Sequence, residues 1–209
     1  MASTVNSNIA LKMLEKDLWV KGFKYVGGVD EAGRGPLAGP LVSCCVIFPP
    51  GCIPSGLNDS KLLSPAQRNH CFQLICRTAF SLGVSIVGEK MIDCLGIQSA
   101  NLYSFREALM RASVKRTPEF VIFDWLKIPE LDIPSISISH AELKSFSVAA
   151  ASIVAKVVRD SLMEKQYQEL YPEYGFIHHK GYGTKLHRDK INQLGIANCH
   201  RRSFCGKYL

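Results

Sequence analysis

YVGGVDEAGRGPLAGP, residues 25–40, combines features that a stable core alone would not bring together. Tyr25 to Val29 is a β-prone, largely apolar run of the kind that forms a buried strand. Two consecutive acids, Asp30 and Glu31, follow it, and then a glycine loop carries one arginine, Arg34. Burying charge costs free energy unless each charge is paired, so a stability argument alone would not place acids here. Leu41 to Phe48 is again β-prone and apolar. The two runs, with glycines and prolines between them, predict an antiparallel pair of strands around a structured loop.

Outward from this hairpin the pattern is that of an α/β protein. Residues 9–21, IALKMLEKDLWVK, have helical apolar spacing, and a third strand is predicted over Val84–Glu89. Ser64-Pro65 is a serine N-cap with proline in the first helical position, so a helix is predicted to start there. Ile97–Ala112 is an amphipathic helix. FVIFDW (120–125) is a short apolar run ending in one acid, and ISIS (136–139) reads as another strand. Strand, helix, strand order predicts a parallel pair inside a mixed sheet. From Glu142 the alanine-rich ELKSFSVAAASIVAKVVRDSLMEKQYQEL is helical until Tyr171-Pro172 ends it. A basic, glycine-rich stretch and a terminal helix close the chain. The expected organisation is one α/β domain over 1–209, with an N-terminal helical extension over about 1–22 and a helical C-terminal portion over about 142–209.

The 209 residues suffice for a substantial core, and with 47% hydrophobic and 21% charged residues the chain is not of disordered composition. Lys and Arg number 25 against 18 Asp and Glu, a net charge of +7, which fits a polyanionic partner. The eight cysteines form no CxxC pair and no zinc-finger array, so they are expected to be buried, reduced thiols. The N-terminus lacks the basic and long apolar regions of a secretory signal, and no apolar stretch approaches membrane-spanning length. A cytoplasmic protein with no membrane partner is expected.

Three acids fall where strands end: Asp30, Glu31 and Asp124. A sheet fixes the backbone while strand-end side chains reach a crevice, which is where α/β proteins collect functional groups. Adjacent carboxylates repel unless they share a proton or a cation. Oxygen-only ligands without a fixed nucleophile favour Mg²⁺ or Mn²⁺ over zinc. Pattern alone leaves open that Asp30 and Glu31 are ordinary turn acids. Gly33-Arg34-Gly35 lets a backbone approach a ligand closely, yet it is neither GxGxxG nor GxxxxGK[ST]. HKGYGTKLHRDK gathers Lys180, Lys185, Arg188 and Lys190 around Tyr182, a combination suited to phosphates and a stacked sugar or base, or simply to a solvated helix end. His178 and His179 read as loop residues.

With these segments assembled, the chain resembles bacterial ribonuclease HII, of the type 2 ribonuclease H family. YVGGVDEAGRGPLAGP, NDSKLLSP, VIFDW, SVAAASIVAKVVRD, YPEYGFIHHKGYGT and the terminal HRRSF carry the likeness, in family order from about residue 18 to 204. Ribonuclease HIII is related, but its additional N-terminal substrate-binding domain has no room here. The resemblance implies an RNase H-like fold, a mixed five-stranded sheet flanked by helices with a helical C-terminal portion. It also implies an endoribonuclease in which four carboxylates hold two divalent ions, Mn²⁺ or Mg²⁺. Such an enzyme cuts on the 5′ side of ribonucleotides in RNA/DNA hybrids or embedded in duplex DNA, leaves 3′-hydroxyl and 5′-phosphate ends, and serves ribonucleotide excision repair.

By the same likeness Asp30, Glu31 and Asp124 match three of the four acids. Gly33, Arg34 and Gly35 match the loop that reads the ribose 2′-hydroxyl, and Tyr182 matches the tyrosine that stacks on the adjoining deoxyribose. Arg34, Lys61, Lys180 and Lys185 are expected to contact phosphates without reading sequence. The fourth acid is usually an aspartate ten residues before the serine of AAAS. Counting back from Ser152 gives Glu142, one methylene longer, with Asp132 and Asp160 as other candidates. A monomeric enzyme is the first expectation, and a hybrid-binding protein that has lost catalysis through the altered fourth acid is the second.

Overall fold

The structure is a computed structural model that describes residues 13–52, 54, 57 and 63–208. Its centre is a mixed five-stranded sheet of order β3-β2-β1-β4-β5. β2 (Leu41–Phe48) runs antiparallel to both of its neighbours, β1 (Val26–Ala32) and β3 (Ser81–Val87), while β4 (Phe120–Asp124) and β5 (Ser135–Ile138) add in parallel on the other side of β1. The expected antiparallel pair is present, and the sheet is mixed as expected, but the strands flanking the predicted 97–112 helix, β3 and β4, are not neighbours: β4 pairs in parallel with β1 and β5 instead.

All eight residues of β2 are buried, because helices cover both faces of the sheet. Alternate side chains serve alternate faces. Val42, Cys44, Val46 and Phe48 pack against Phe146, Ala150 and Val154 of α4 (Phe146–Leu162) and Ile75 of α2 (Pro65–Thr78). Cys45 and Ile47 pack with Val29, Val121 and Phe123 against Phe105, Ala108 and Leu109 of α3 (Glu89–Ala112). The alanines of α4 bring that helix very close to β1: a Cβ on Gly28 would lie 2.2 Å from the carbonyl carbon of Ser147 and 2.3 Å from the amide nitrogen of Val148. Gly28 is therefore a contact surface for a helix.

α2 begins where predicted: Ser64 Oγ accepts from the Gln67 amide, and the Gln67 side chain accepts from the Ser64 amide, a capping box ahead of Pro65. The predicted 97–112 helix is the longer part of α3, which starts at Glu89 and is interrupted at Gly96, with φ 74° and ψ 155°. The predicted Val84–Glu89 strand is displaced, since Gly88 ends it and Glu89 opens the helix. The N-terminal helix α1 spans Met13–Val20, and residues 9–12 of its expected range lie outside the described part.

Beyond α4 the helix runs into a π turn, Met163–Tyr167, and the chain then folds as short pieces including α5 (Phe176–His179) and α6 (Lys185–Leu194). Met163, Tyr174, Phe176, Ile191 and Cys199 form a separate core that closes on Ala38 of the glycine loop. Among the cysteines, Cys44, Cys45, Cys71, Cys199 and Cys205 are buried thiols as expected, whereas Cys76 and Cys94 are exposed, each on the outer side of its helix. No helix among the described residues is long and apolar enough to cross a membrane.

Candidate active site

β1 extends three residues beyond the predicted Val29, so Asp30 and Glu31 lie inside the strand, paired with Cys44 and Ser43 of β2. Successive strand residues point to opposite faces. Asp30 turns toward α4, where Ser152 hydrogen-bonds it, and Glu31 turns toward α3, where Asn101 reaches it. β4 lies parallel to β1 with Val29 opposite Phe123, which sets Asp124 at the same end of the sheet. The Ala141 amide donates to Asp124 Oδ1 at 2.9 Å. The three acids line one cleft of about 290 Å³ together with Ala32, Gly33, Arg34, Ser152, Lys156 and Tyr182.

This geometry raises both β1 acids. Burial, then the charges of Glu31 and Asp124, push Asp30 well above the ordinary carboxylate range, against hydrogen bonds from Ser152 and the Glu31 amide. Burial likewise raises Glu31 to about 7, although Arg34 and Asn101 oppose it. Nη1 of Arg34 stands 3.7 Å from Glu31 Oε1. Protein groups thus leave the carboxylates short of positive charge, and their hard oxygens suit a divalent ion of the Mg²⁺ or Mn²⁺ class. Among the described residues no three or more His, Cys, Asp or Glu side chains are already gathered at metal-holding distance.

Glu142 lies in the 3₁₀ turn Ala141–Leu143, one residue past the amide that holds Asp124. It is buried, with Oε1 3.6 Å from Nδ1 of His140, and it is not among the residues lining the cleft. Asp132 is exposed beside Leu131 and Ile133 on a different cavity, and Asp160 pairs with Lys156 at 2.9 Å.

The glycine loop is held from behind by two fully buried arginines. Arg201 donates to the carbonyls of Gly33 (2.7 Å), Arg34 (3.0 Å) and Gly39 (2.9 Å), and Arg159 donates to those of Pro40 (2.9 Å) and Ala38 (3.2 Å). Gly33 has φ 97°, and a Cβ there would sit 2.1 Å from Arg159 Nε, so both conformation and space demand glycine. Gly35 faces open space.

The ring of Tyr182, 38% exposed, forms the far wall of the cleft with Lys156 and Arg159 above it, at 5.4 and 5.3 Å from its centroid. Three buried histidines support it. His187 Nδ1 donates to the Tyr182 carbonyl at 3.0 Å, and its Nε2 meets His200 Nε2 at 3.1 Å; His179 donates from Nε2 to the Tyr174 carbonyl and accepts the Gly181 amide at Nδ1. His179 and His187 stack at 4.4 Å. His178 and His179, expected in a loop, belong to α5.

Of the predicted lysines, Lys180 and Lys185 are not among the residues lining the cleft. Lys180 turns onto Glu164 at 2.9 Å, and Lys185 pairs with Asp189 at 2.7 Å on the exposed first turn of α6. Lys61 lies outside the described residues. Lys156, Ser152, Asn101, Arg159 and Arg201 were not singled out as site residues. Spacing held a signal for three of them, since 152, 156 and 159 fall on one face of a helix.

The sequence profile of the family described as Ribonuclease HII matches residues 27–207. A ribonuclease HII of Acholeplasma laidlawii is 45% identical over 190 residues, which are 91% of this chain and 92% of that protein. The ribonuclease H2 structure from Pyrococcus horikoshii superposes with a TM-score of 0.71 at 28% identity, over 86% of this chain and 93% of that one. A ribonuclease HIII structure described as in complex with Mn²⁺ shares the fold, with a TM-score of 0.67 at 22% identity over 87% of this chain and 67% of that one. Sequence, RNase H-like fold and a cleft of strand-end carboxylates agree, and the chain belongs to the ribonuclease HII family of type 2 ribonuclease H nucleases.

Proposed function

We propose that this chain hydrolyses the phosphodiester on the 5′ side of ribonucleotides, in RNA/DNA hybrids and embedded singly in duplex DNA, leaving 3′-hydroxyl and 5′-phosphate ends. The observation that carries this reading is the convergence of Asp30, Glu31 and Asp124 from two adjacent strands on a cleft walled by Arg34, Lys156 and Tyr182. Asp30, Glu31 and Asp124, with Glu142 from the turn next to Asp124, would hold two divalent ions, Mg²⁺ or Mn²⁺. Bound there, the ions supply an activated water and neutralise charge on the leaving oxygen.

The chain's own groups do the rest. Arg34 and Lys156 attract the phosphate and neutralise part of its charge. The Gly33–Gly35 loop, stiffened by Arg159 and Arg201, admits backbone groups close to the ribose 2′-hydroxyl, which distinguishes RNA from DNA. Tyr182 packs its ring on the neighbouring deoxyribose. Lys61, Lys180 and Lys185 serve phosphates farther along the duplex. The enzyme acts as a monomer without a membrane partner, in the cytoplasm, as part of ribonucleotide excision repair.

The test is duplex DNA carrying one ribonucleotide, incubated with Mg²⁺, Mn²⁺ or EDTA, with product ends identified by phosphatase and ligase sensitivity. A single cut 5′ to the ribonucleotide, absent in EDTA, is expected. Tight hybrid binding without cleavage in either metal would refute it in favour of a binding protein.

A further inference from the structure

Trp125, the residue after Asp124, has φ 57°, in the left-handed region that glycine occupies freely and a bulky side chain avoids. Its backbone is fastened on both sides: the Trp125 amide donates to the Ile138 carbonyl at 3.1 Å, and Ser137 Oγ donates to the Trp125 carbonyl at 2.6 Å. The indole gains little burial in return, being 49% exposed. What it does contact is Arg34, whose guanidinium carbon stands 4.4 Å from the ring centroid. The same guanidinium lies 3.7 Å from Glu31. Unfavourable backbone geometry kept next to a residue that lines a cleft, here Asp124, is a mark of function when the side chain it presents does something that packing does not require.

We propose that Trp125 is a positioning residue: its indole holds the Arg34 guanidinium flat at the rim of the carboxylate cleft, against Glu31, so that the planar fork meets the substrate phosphate already oriented. This rests on the nucleolytic reading above. An arginine on a long free side chain loses rotamer freedom when it binds phosphate, and an aromatic face that orders it beforehand removes part of that loss. The contact should therefore act on substrate binding more than on the chemical step.

The experiment compares Trp125→Gly, Trp125→Phe, Arg34→Ala and the Trp125→Gly/Arg34→Ala double variant, using cleavage of the single-ribonucleotide duplex and, in EDTA, hybrid binding by fluorescence anisotropy. Because glycine accepts this backbone without strain, Trp125→Gly should melt at or above the wild-type temperature. Its KM and hybrid Kd should nevertheless rise about three- to fivefold, the scale of one exposed cation–π contact, with kcat little changed. Trp125→Phe should recover most of the loss, and Trp125→Gly should add nothing once Arg34 is alanine. Wild-type Kd in Trp125→Gly, or the same penalty with and without Arg34, overturns the proposal. A wild-type protein that binds hybrid but does not cut overturns the nucleolytic reading instead, and the coupling of Trp125 to Arg34 is then still read from Kd.

Discussion

Arg201 and Gly33, 168 positions apart, are joined by a 2.7 Å hydrogen bond from the guanidinium to the carbonyl oxygen. Two further bonds run from the same side chain to Arg34 and Gly39, so a residue near the C-terminus sets the shape of the loop beside the β1 acids. Burial, helped by the neighbouring charge of Arg159, lowers Arg201 to about 10, which still leaves it charged at neutral pH. Arg201→Ala would orphan three carbonyls, each worth about 1–3 kcal/mol when buried. A loss of at least about 2 kcal/mol by denaturant unfolding is expected, together with weakened cleavage. Arg201→Lys should fall between, because one ammonium cannot span the three acceptors.

If the β1 acids hold a divalent ion, the protein's response to pH should depend on metal. Glu31 titrates near 7 in the folded chain against 4.5 for a free glutamate. Folded protein therefore binds more protons than unfolded protein between these values, and the contribution of Glu31 to metal-free stability falls as pH rises through that window. Divalent cations favour the ionised form. The rise in Tm on adding Mg²⁺ or Mn²⁺ should be small near pH 4.5 and grow toward pH 7. A constant increment across the window would show that Glu31 takes no part in holding the ion.

Asp30→Asn and Asp124→Asn should each abolish measurable turnover while hybrid binding in EDTA survives, since the basic groups remain. Near-normal turnover of either variant would remove it from the metal set.

Glu142, buried in the turn whose first amide holds Asp124, is expected to matter through its charge. Glu142→Gln should lower kcat at least about tenfold, a barrier increase of about 1.4 kcal/mol, with little change in Tm, whereas Glu142→Asp should retain activity. If Glu142→Gln is fully active and Asp132→Asn or Asp160→Asn is not, the fourth acid lies elsewhere.

The histidine cluster should make the Tyr182 side of the cleft acid-sensitive. Burial above all, then neighbouring His179 and His200, lowers His187 to about 4 from 6.5. A depressed histidine stabilises the fold above its unfolded value, and that contribution is lost as pH falls from about 6.5 toward 4. With metal present, Tm should fall across this window more steeply for the wild type than for His187→Phe. The variant should also lose about 1–2 kcal/mol at pH 8, through its missing bond to Tyr182 and the unpaired carbonyl left behind. Equal slopes would place the acid sensitivity in other groups.

Much of the fold was legible in the sequence because it rests on short-range rules. Short β-prone apolar runs announced β1, β2 and β4, and Ser64-Pro65 announced the start of α2 to the residue. The same locality made the three strand-end acids visible, since charge that ends a buried run is anomalous within a window of a few residues. What escaped was whatever depends on two distant segments meeting. Nothing in the local sequence shows that α4 lies across Gly28, or that the fully buried guanidiniums of Arg159 and Arg201 serve loop carbonyls. His179 is expected in a loop, and local sequence does not show that it clusters with His187 and His200 behind Tyr182. Lys180 and Lys185 show the converse: a basic cluster is plain in sequence, but only the path of the backbone decides that Lys156, one turn beyond Ser152 on α4, is the lysine that lines the cleft. Periodicity reports which face of an element is apolar; which elements share an interface, and which polar groups must then satisfy one another there, is decided by packing and hydrogen-bond satisfaction across the whole chain.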